Sequence, residues 1–166
     1  MSLTSSARPS AATDTSVAPL CAGSDPTKVD PRGQRFAASV TAVVLAAVLL
    51  LAPGPVATTL LAVQTVLFAV GAGAGVRRTP HAWVFRTFIR PRLGPPAEIE
   101  DATPPRFAQG VGLVFATVGL AGFLLGATTV GLVATGFALV AAVLNAAFGL
   151  CLGCELFLLG KRLTTR

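Results

Sequence analysis

The sequence predicts an all-α membrane protein: four transmembrane helices as two antiparallel hairpins. Three observations predict it. The chain is 53% apolar and 12% charged, with a mean hydropathy of +0.74, outside the range of soluble domains. Four apolar stretches, roughly 36–52, 56–76, 107–126 and 130–159, approach or exceed the ~20 residues needed to cross a hydrocarbon core of ~30 Å. All 13 Lys and Arg residues fall outside them. The connectors at 53–55 and 126–129 carry no charge, so every cation can lie on one side. Cytoplasmic loops accumulate Lys and Arg. Both termini and the connector at 77–105 are therefore placed inside, in a multi-pass protein of the inner (plasma) membrane. A soluble four-helix bundle would need a polar face on each helix, and 111–125 and 130–144 offer only occasional Thr.

Taken in order, residues 1–29 are rich in Ser, Thr, Ala and Pro without apolar periodicity, a composition that reads as a disordered cytoplasmic tail. It has no apolar central region of a secretory signal, so the first stretch acts as an uncleaved anchor. The four-helix membrane domain covers 30–163. Its first turn, Pro53, Gly54 and Pro55, reverses abruptly, because Pro fixes φ and Gly supplies conformations other residues avoid. Small residues four apart, at Gly71/Gly75, Gly122/Gly126 and Gly149/Gly153, are expected at helix contacts, since association in lipid relies on close packing. In the connector, Thr79 and Pro80 can open a short helix, with Thr as N-cap and Pro at its first position. Trp83, Val84, Thr87 and Phe88 would share one face in the inner headgroup region, with Arg86 and Arg90 directed elsewhere and Pro91 ending it. His81, the single histidine, reads as a solvated interfacial group.

The two hairpins open alike. Asp30-Pro-Arg-Gly-Gln-Arg35-Phe36-Ala37 precedes the first stretch, and Asp101-Ala-Thr-Pro-Pro-Arg106-Phe107-Ala108 precedes the third, 71 residues later. Each places a cation at the inner interface and an aromatic just inside it. Convergence on a membrane anchor accounts for this. So does a duplicated hairpin, a parallel pseudo-repeat about an axis along the membrane normal.

The net charge of +6 does not indicate nucleic acid. The cations flank membrane spans, where anionic lipid explains them, and no basic stretch is interleaved with aromatics. The bilayer itself is the expected partner.

Chemistry is concentrated at Cys151-Leu-Gly-Cys154-Glu155. On a helix these positions are neighbours, near the inner boundary. Three readings stand: packing of small residues, a dithiol that exchanges with disulfides or carries sulfur, and soft-metal binding. The last needs more ligands than one chain shows, so a homo-oligomer would have to supply a second pair; no metal or cofactor is assigned. Glu155 is costly within a span, serves the dithiol reading as a proton donor or acceptor, and is expected to pair with Arg35 or Arg106. Deeper in the membrane, Gln64 and Asn145 either hydrogen-bond one another between helices or line a polar path. Placed at the end of a long fourth helix, the pair differs from a thioredoxin site, whose thiols open a helix.

Asp30-Pro-Arg, the connector from Arg90-Pro-Arg to Glu98-Ile-Glu-Asp101, Pro105-Arg-Phe-Ala-Gln109 and Cys151-Leu-Gly-Cys154-Glu155 together resemble domain-of-unknown-function family 4395, across about 29–163. These are bacterial, mainly actinobacterial, integral membrane proteins with no established activity. The resemblance implies genes neighbouring thioredoxin-like proteins and thiosulfate-type sulfurtransferases, and so favours a thiol-redox or sulfur-transfer role for Cys151 and Cys154; autonomous catalysis is not expected of a pair placed at the end of a helix. A small permease or channel subunit for a sulfur-containing solute, lined partly by Gln64 and Asn145, is the alternative. A structural subunit using the glycine faces is the third.

Overall fold

Each hairpin starts from an aspartate. In this computed structural model, which describes residues 28–94, 96 and 99–164, α1 spans Pro31–Leu51 and Asp30 Oδ1 accepts the Arg32 backbone N–H at 3.0 Å. Helix α4 spans Thr103–Leu124, and Asp101 Oδ1 accepts the Thr103 backbone N–H at 3.0 Å. A carboxylate here satisfies a donor that has no intrahelical partner, and its charge suits the helix N-terminus. The two starts are tied together by an antiparallel pair, β1 (Lys28–Val29) and β2 (Glu100–Asp101), with Lys28 opposite Asp101. Lys28 and Val29 are thus ordered, against the expectation for 1–29; the rest of that tail lies outside the described residues.

Helix α2 spans Pro55–Gly73 and α5 spans Thr128–Phe148. With α1 and α4 these are, among the described residues, the four helices long and apolar enough to cross a membrane. The most extensive packing crosses between hairpins: α1 lies mainly on α5, and α4 mainly on α2. That exchange is what a two-fold axis between equivalent hairpins produces. Leu45, Val48, Leu61, Phe68, Ala116 and Ala138 form the shared core. Outside it, Leu50 is 85% exposed and Leu125 83%. Apolar exposure on this scale would drive aggregation in water and suits acyl chains instead.

Each spaced glycine pair divides its labour. A Cβ on Gly71 would meet the Gln109 side chain at 2.8 Å, and one on Gly122 the Gly131 backbone N at 2.6 Å; their partners, Gly75 and Gly126, hold positive φ in turns. Only one member of each pair is a helix contact.

The fourth apolar stretch is where the chain departs from the reading of one helix over 130–159. Helix α5 stops at Phe148, Gly149 adopts φ +70°, and a new helix, α6, runs Leu152–Thr164. Hydropathy is blind to this break, because a left-handed glycine removes no apolar side chain.

The connector also differs from expectation. After a tight turn at Val76–Arg78, α3 covers Pro80–Val84 and widens to a π-helical turn at Phe85–Ile89. The Thr79 hydroxyl caps α3 by accepting the Ala82 N–H at 3.4 Å, as its sequence signals. Trp83 and Phe88, on the face expected to meet the headgroups, are exposed and pack edge to face with centroids 5.9 Å apart, while Phe85 is buried in the protein.

Candidate functional site at the start of helix six

The arginines of the repeated motif hold the helix ends that lead into the site. Arg35 donates from Nη2 to the carbonyls of Ala146 (3.3 Å) and Ala147 (3.1 Å) at the end of α5. Arg106 donates from Nη2 to Ala72 (3.1 Å) and Gly73 (2.9 Å) at the end of α2. Each arginine therefore caps the second helix of the other hairpin, where carbonyls lack intrahelical donors and the helix dipole favours a cation. This corrects the expectation that one of them pairs with Glu155. Glu155 is exposed, in the first turn of α6, where a carboxylate is favoured by the helix N-terminus itself.

The phenylalanines extend the correspondence. Phe36 packs on Phe85 of the turn after α3, with centroids 6.0 Å apart, and Phe107 on Phe157 of α6, 5.7 Å apart. The likeness of the two hairpins thus takes in the short helix after each. Within it, the cap residue Thr79 of α3 corresponds to Cys151, and Ala82 to Cys154. Helix α6 is seated against α4 through Gly153, where a Cβ would lie 2.5 Å from Ala108 Cα.

The Cys pair thus opens a helix; the expectation that it closes one is reversed. Both thiols are free and half-buried. The Cys154 S–H donates to the Cys151 sulfur, and the backbone N–H groups of Cys154 and Gly153 also point at it. These hydrogen bonds outweigh burial and bring the Cys151 thiol down to about 7. Cys154, holding the proton and facing the Cys151 sulfur, is pushed up, with burial adding to the effect. One nucleophile and one reserve thiol is the arrangement that exchange chemistry uses. No cluster of three or more His, Cys, Asp or Glu occurs among the described residues of one chain, so a soft metal here would need the thiols of a second copy.

Cys151 also borders a cavity of about 390 Å³, a size that holds a small molecule. It runs between α1, α2, α4 and α5 up to the connector, and both Gln64 and Asn145 line it. They are not hydrogen-bonded to each other: Gln64 Nε2 donates to Thr41 Oγ1 at 3.5 Å. Sequence reasoning missed Thr41, and with it Gln34, which lies two helical turns earlier on the same face of α1 and borders the same cavity. The polar spacing of seven residues at Gln34 and Thr41 was the available signal. His81 is also on the cavity wall, where burial lowers its pKa by disfavouring the charged ring.

The family model described as "Domain of unknown function (DUF4395)" matches residues 29–162. Nothing matches among curated proteins or solved structures.

Proposed function

The chain belongs to the DUF4395 family, and we propose that it is a membrane-embedded dithiol protein serving thiol-redox or sulfur-transfer partners on the cytoplasmic side. The observation that carries this is the Cys151 sulfur at the start of α6, accepting the Cys154 S–H and two backbone N–H groups. In exchange, the Cys151 thiolate attacks one sulfur of a partner disulfide and expels the other as a thiolate. Cys154 then gives up its proton and attacks the Cys151 sulfur, releasing the reduced partner and leaving a Cys151–Cys154 disulfide. Residues three apart on a helix lie close enough for that bond. Glu155, one residue beyond Cys154, is the proposed acceptor of its proton. The partners that fit are a thioredoxin-like protein or a sulfurtransferase.

The direct test is to trap mixed disulfides in cells expressing Cys154→Ser, with Cys151→Ser as the control. A thioredoxin-like protein or sulfurtransferase should be captured through Cys151 and lost in the control. If both thiols resist a small alkylating agent and the double Ser variant complements a deletion fully, the reading fails. Reporter fusions test the orientation: those at Gly54 and Thr128 should be extracytoplasmic, and one at Pro96 cytoplasmic.

A permease for a small sulfur-containing solute is the second reading, supported by the cavity that Gln64 and Asn145 share. It predicts loss of uptake in Gln64→Leu or Asn145→Leu with both thiols dispensable.

A further inference from the structure

The cavity contains buried polar atoms that the described residues leave unpartnered. Gln64 is 2% exposed; it spends its N–H on Thr41, while its Oε1 is buried with no partner. Gln34 Nε2, on the same cavity, is a buried donor likewise without one. Buried polar groups are costly unless paired, so two on one wall point to a ligand with polar atoms at separate places. Gln34 precedes Thr41, which holds Gln64, by two turns of α1, an axial separation of about 10 Å. Phe115, Phe137, Ala141 and Ala142 contribute apolar wall, and Cys151 borders the same space.

The matching shape is a flat apolar ring with an oxygen at either end. The cavity lies among four membrane-length helices and reaches the connector, so a molecule dissolved in lipid can enter it. Carboxamides suit such a molecule in two oxidation states: the N–H donates to a carbonyl, and the carbonyl accepts from a hydroxyl.

We propose that this cavity binds a membrane-soluble quinone, which accepts the electrons of the Cys151–Cys154 dithiol. This rests on the dithiol reading with exchange run in reverse: a partner dithiol reduces the Cys151–Cys154 disulfide and becomes a disulfide itself, and the quinone is the final electron acceptor. The two thiols lose two electrons and two protons as the disulfide forms; the quinone gains both and leaves as the hydroquinone. Gln34 Nε2 donates to a carbonyl of the quinone, and Gln64 Oε1 accepts from a hydroxyl of the hydroquinone; both are positioning residues, while Cys151 and Cys154 are the reacting groups.

The test uses the full-length protein, reduced, in lipid nanodiscs without oxygen. Duroquinone is the probe, since every ring position is substituted and thiols cannot add to it. Wild type should convert one quinone per dithiol, with loss of quinone absorbance matching disulfide formed, and Cys151→Ser should convert none. Gln34→Leu, which removes the buried donor, should raise the half-saturating quinone concentration about tenfold, as expected for a lost buried hydrogen bond. Ala142→Phe, which fills the cavity, should block turnover. In both variants the alkylation rate of Cys151 should stay at the wild-type value, which separates loss of quinone from loss of fold. Exchange with a small disulfide but no reduction of duroquinone would overturn this inference and leave the dithiol reading standing. Reaction with neither would overturn both. Quinone reduction unchanged in Gln34→Leu and Ala142→Phe would remove the cavity as the site.

Discussion

The two halves of this molecule make the same corner and finish it differently. In the first, Arg106 caps α2, a positive-φ glycine turns the chain, and Thr79 opens the short α3 with a hydroxyl that accepts a backbone N–H. In the second, Arg35 caps α5, Gly149 turns the chain, and Cys151 stands where Thr79 does, its sulfur receiving backbone N–H groups. A helix start thus needs an acceptor at this position, and a hydroxyl suffices. Sulfur in that role gains what oxygen does not: an ionisable nucleophile held by the donors that stabilise its anion. Ala82 offers the first half no reserve, whereas Cys154 in the second half donates its proton-bearing sulfur to the first thiol.

The contrast breaks most severely at Gly153. Any side chain there collides with the Ala108 backbone, which cannot yield as a flexible side chain would. Gly153→Leu should push α6 off α4 at a cost of about 3 kcal/mol, in the range of severe overpacking. The expected outcome is a lower thermal midpoint in detergent and a Cys151 that alkylates like an ordinary exposed thiol. Gly73, with open space around it, is the control: Gly73→Ala should be near neutral.

A smaller effect separates the two caps chemically. The alkylation rate of Cys151 should rise with pH to a half-point of about 7. The sign follows from the direction of the shift: hydrogen bonds to the anion favour it, so the reactive form is present above that pH and lost as pH falls through it. Cys154→Ala removes the largest cause and should move the half-point up by about one unit or more, into the ordinary thiol range. In a Cys151→Ser background, Thr79→Cys should titrate above the wild-type Cys151, because Ala82 has no S–H to donate. Adding Ala82→Cys should bring it down again. If Thr79→Cys alone matches Cys151, the backbone rather than the second thiol sets the reactivity.

The smallest effect distinguishes the two arginines. Each supplies charge-assisted hydrogen bonds from an exposed position, so Arg35→Ala and Arg106→Ala should each cost about 0.3–1 kcal/mol. Their consequences should differ by address. Loosening the end of α5 through Arg35→Ala should alter Cys151 alkylation, whereas Arg106→Ala should leave it alone and expose the connector to limited proteolysis. Equal effects on Cys151 would mean the two halves are coupled more tightly than their separate caps imply.

By itself the sequence determined the class, the four membrane-length helices, the polar connector and the resemblance of the two openings. These follow from hydropathy and from residues whose effect is local: Asp30, Pro31, Pro55 and Thr79 act within a turn of where they stand. It also singled out the cysteines, Glu155, Gln64 and Asn145 as the residues with chemistry to explain. What only the tertiary structure decided is how they combine. A left-handed Gly149 inside an unbroken apolar run costs nothing in hydropathy, so the start of α6 was invisible, and with it the placement of Cys151 at a helix opening. The carbonyl partners of Arg35 and Arg106 lie on the other hairpin, and backbone acceptors carry no sequence signature. Gln64 turned to Thr41 and a cavity rather than to Asn145 because depth in the membrane fixes only one coordinate; the rotation of each helix is set by its neighbours' packing.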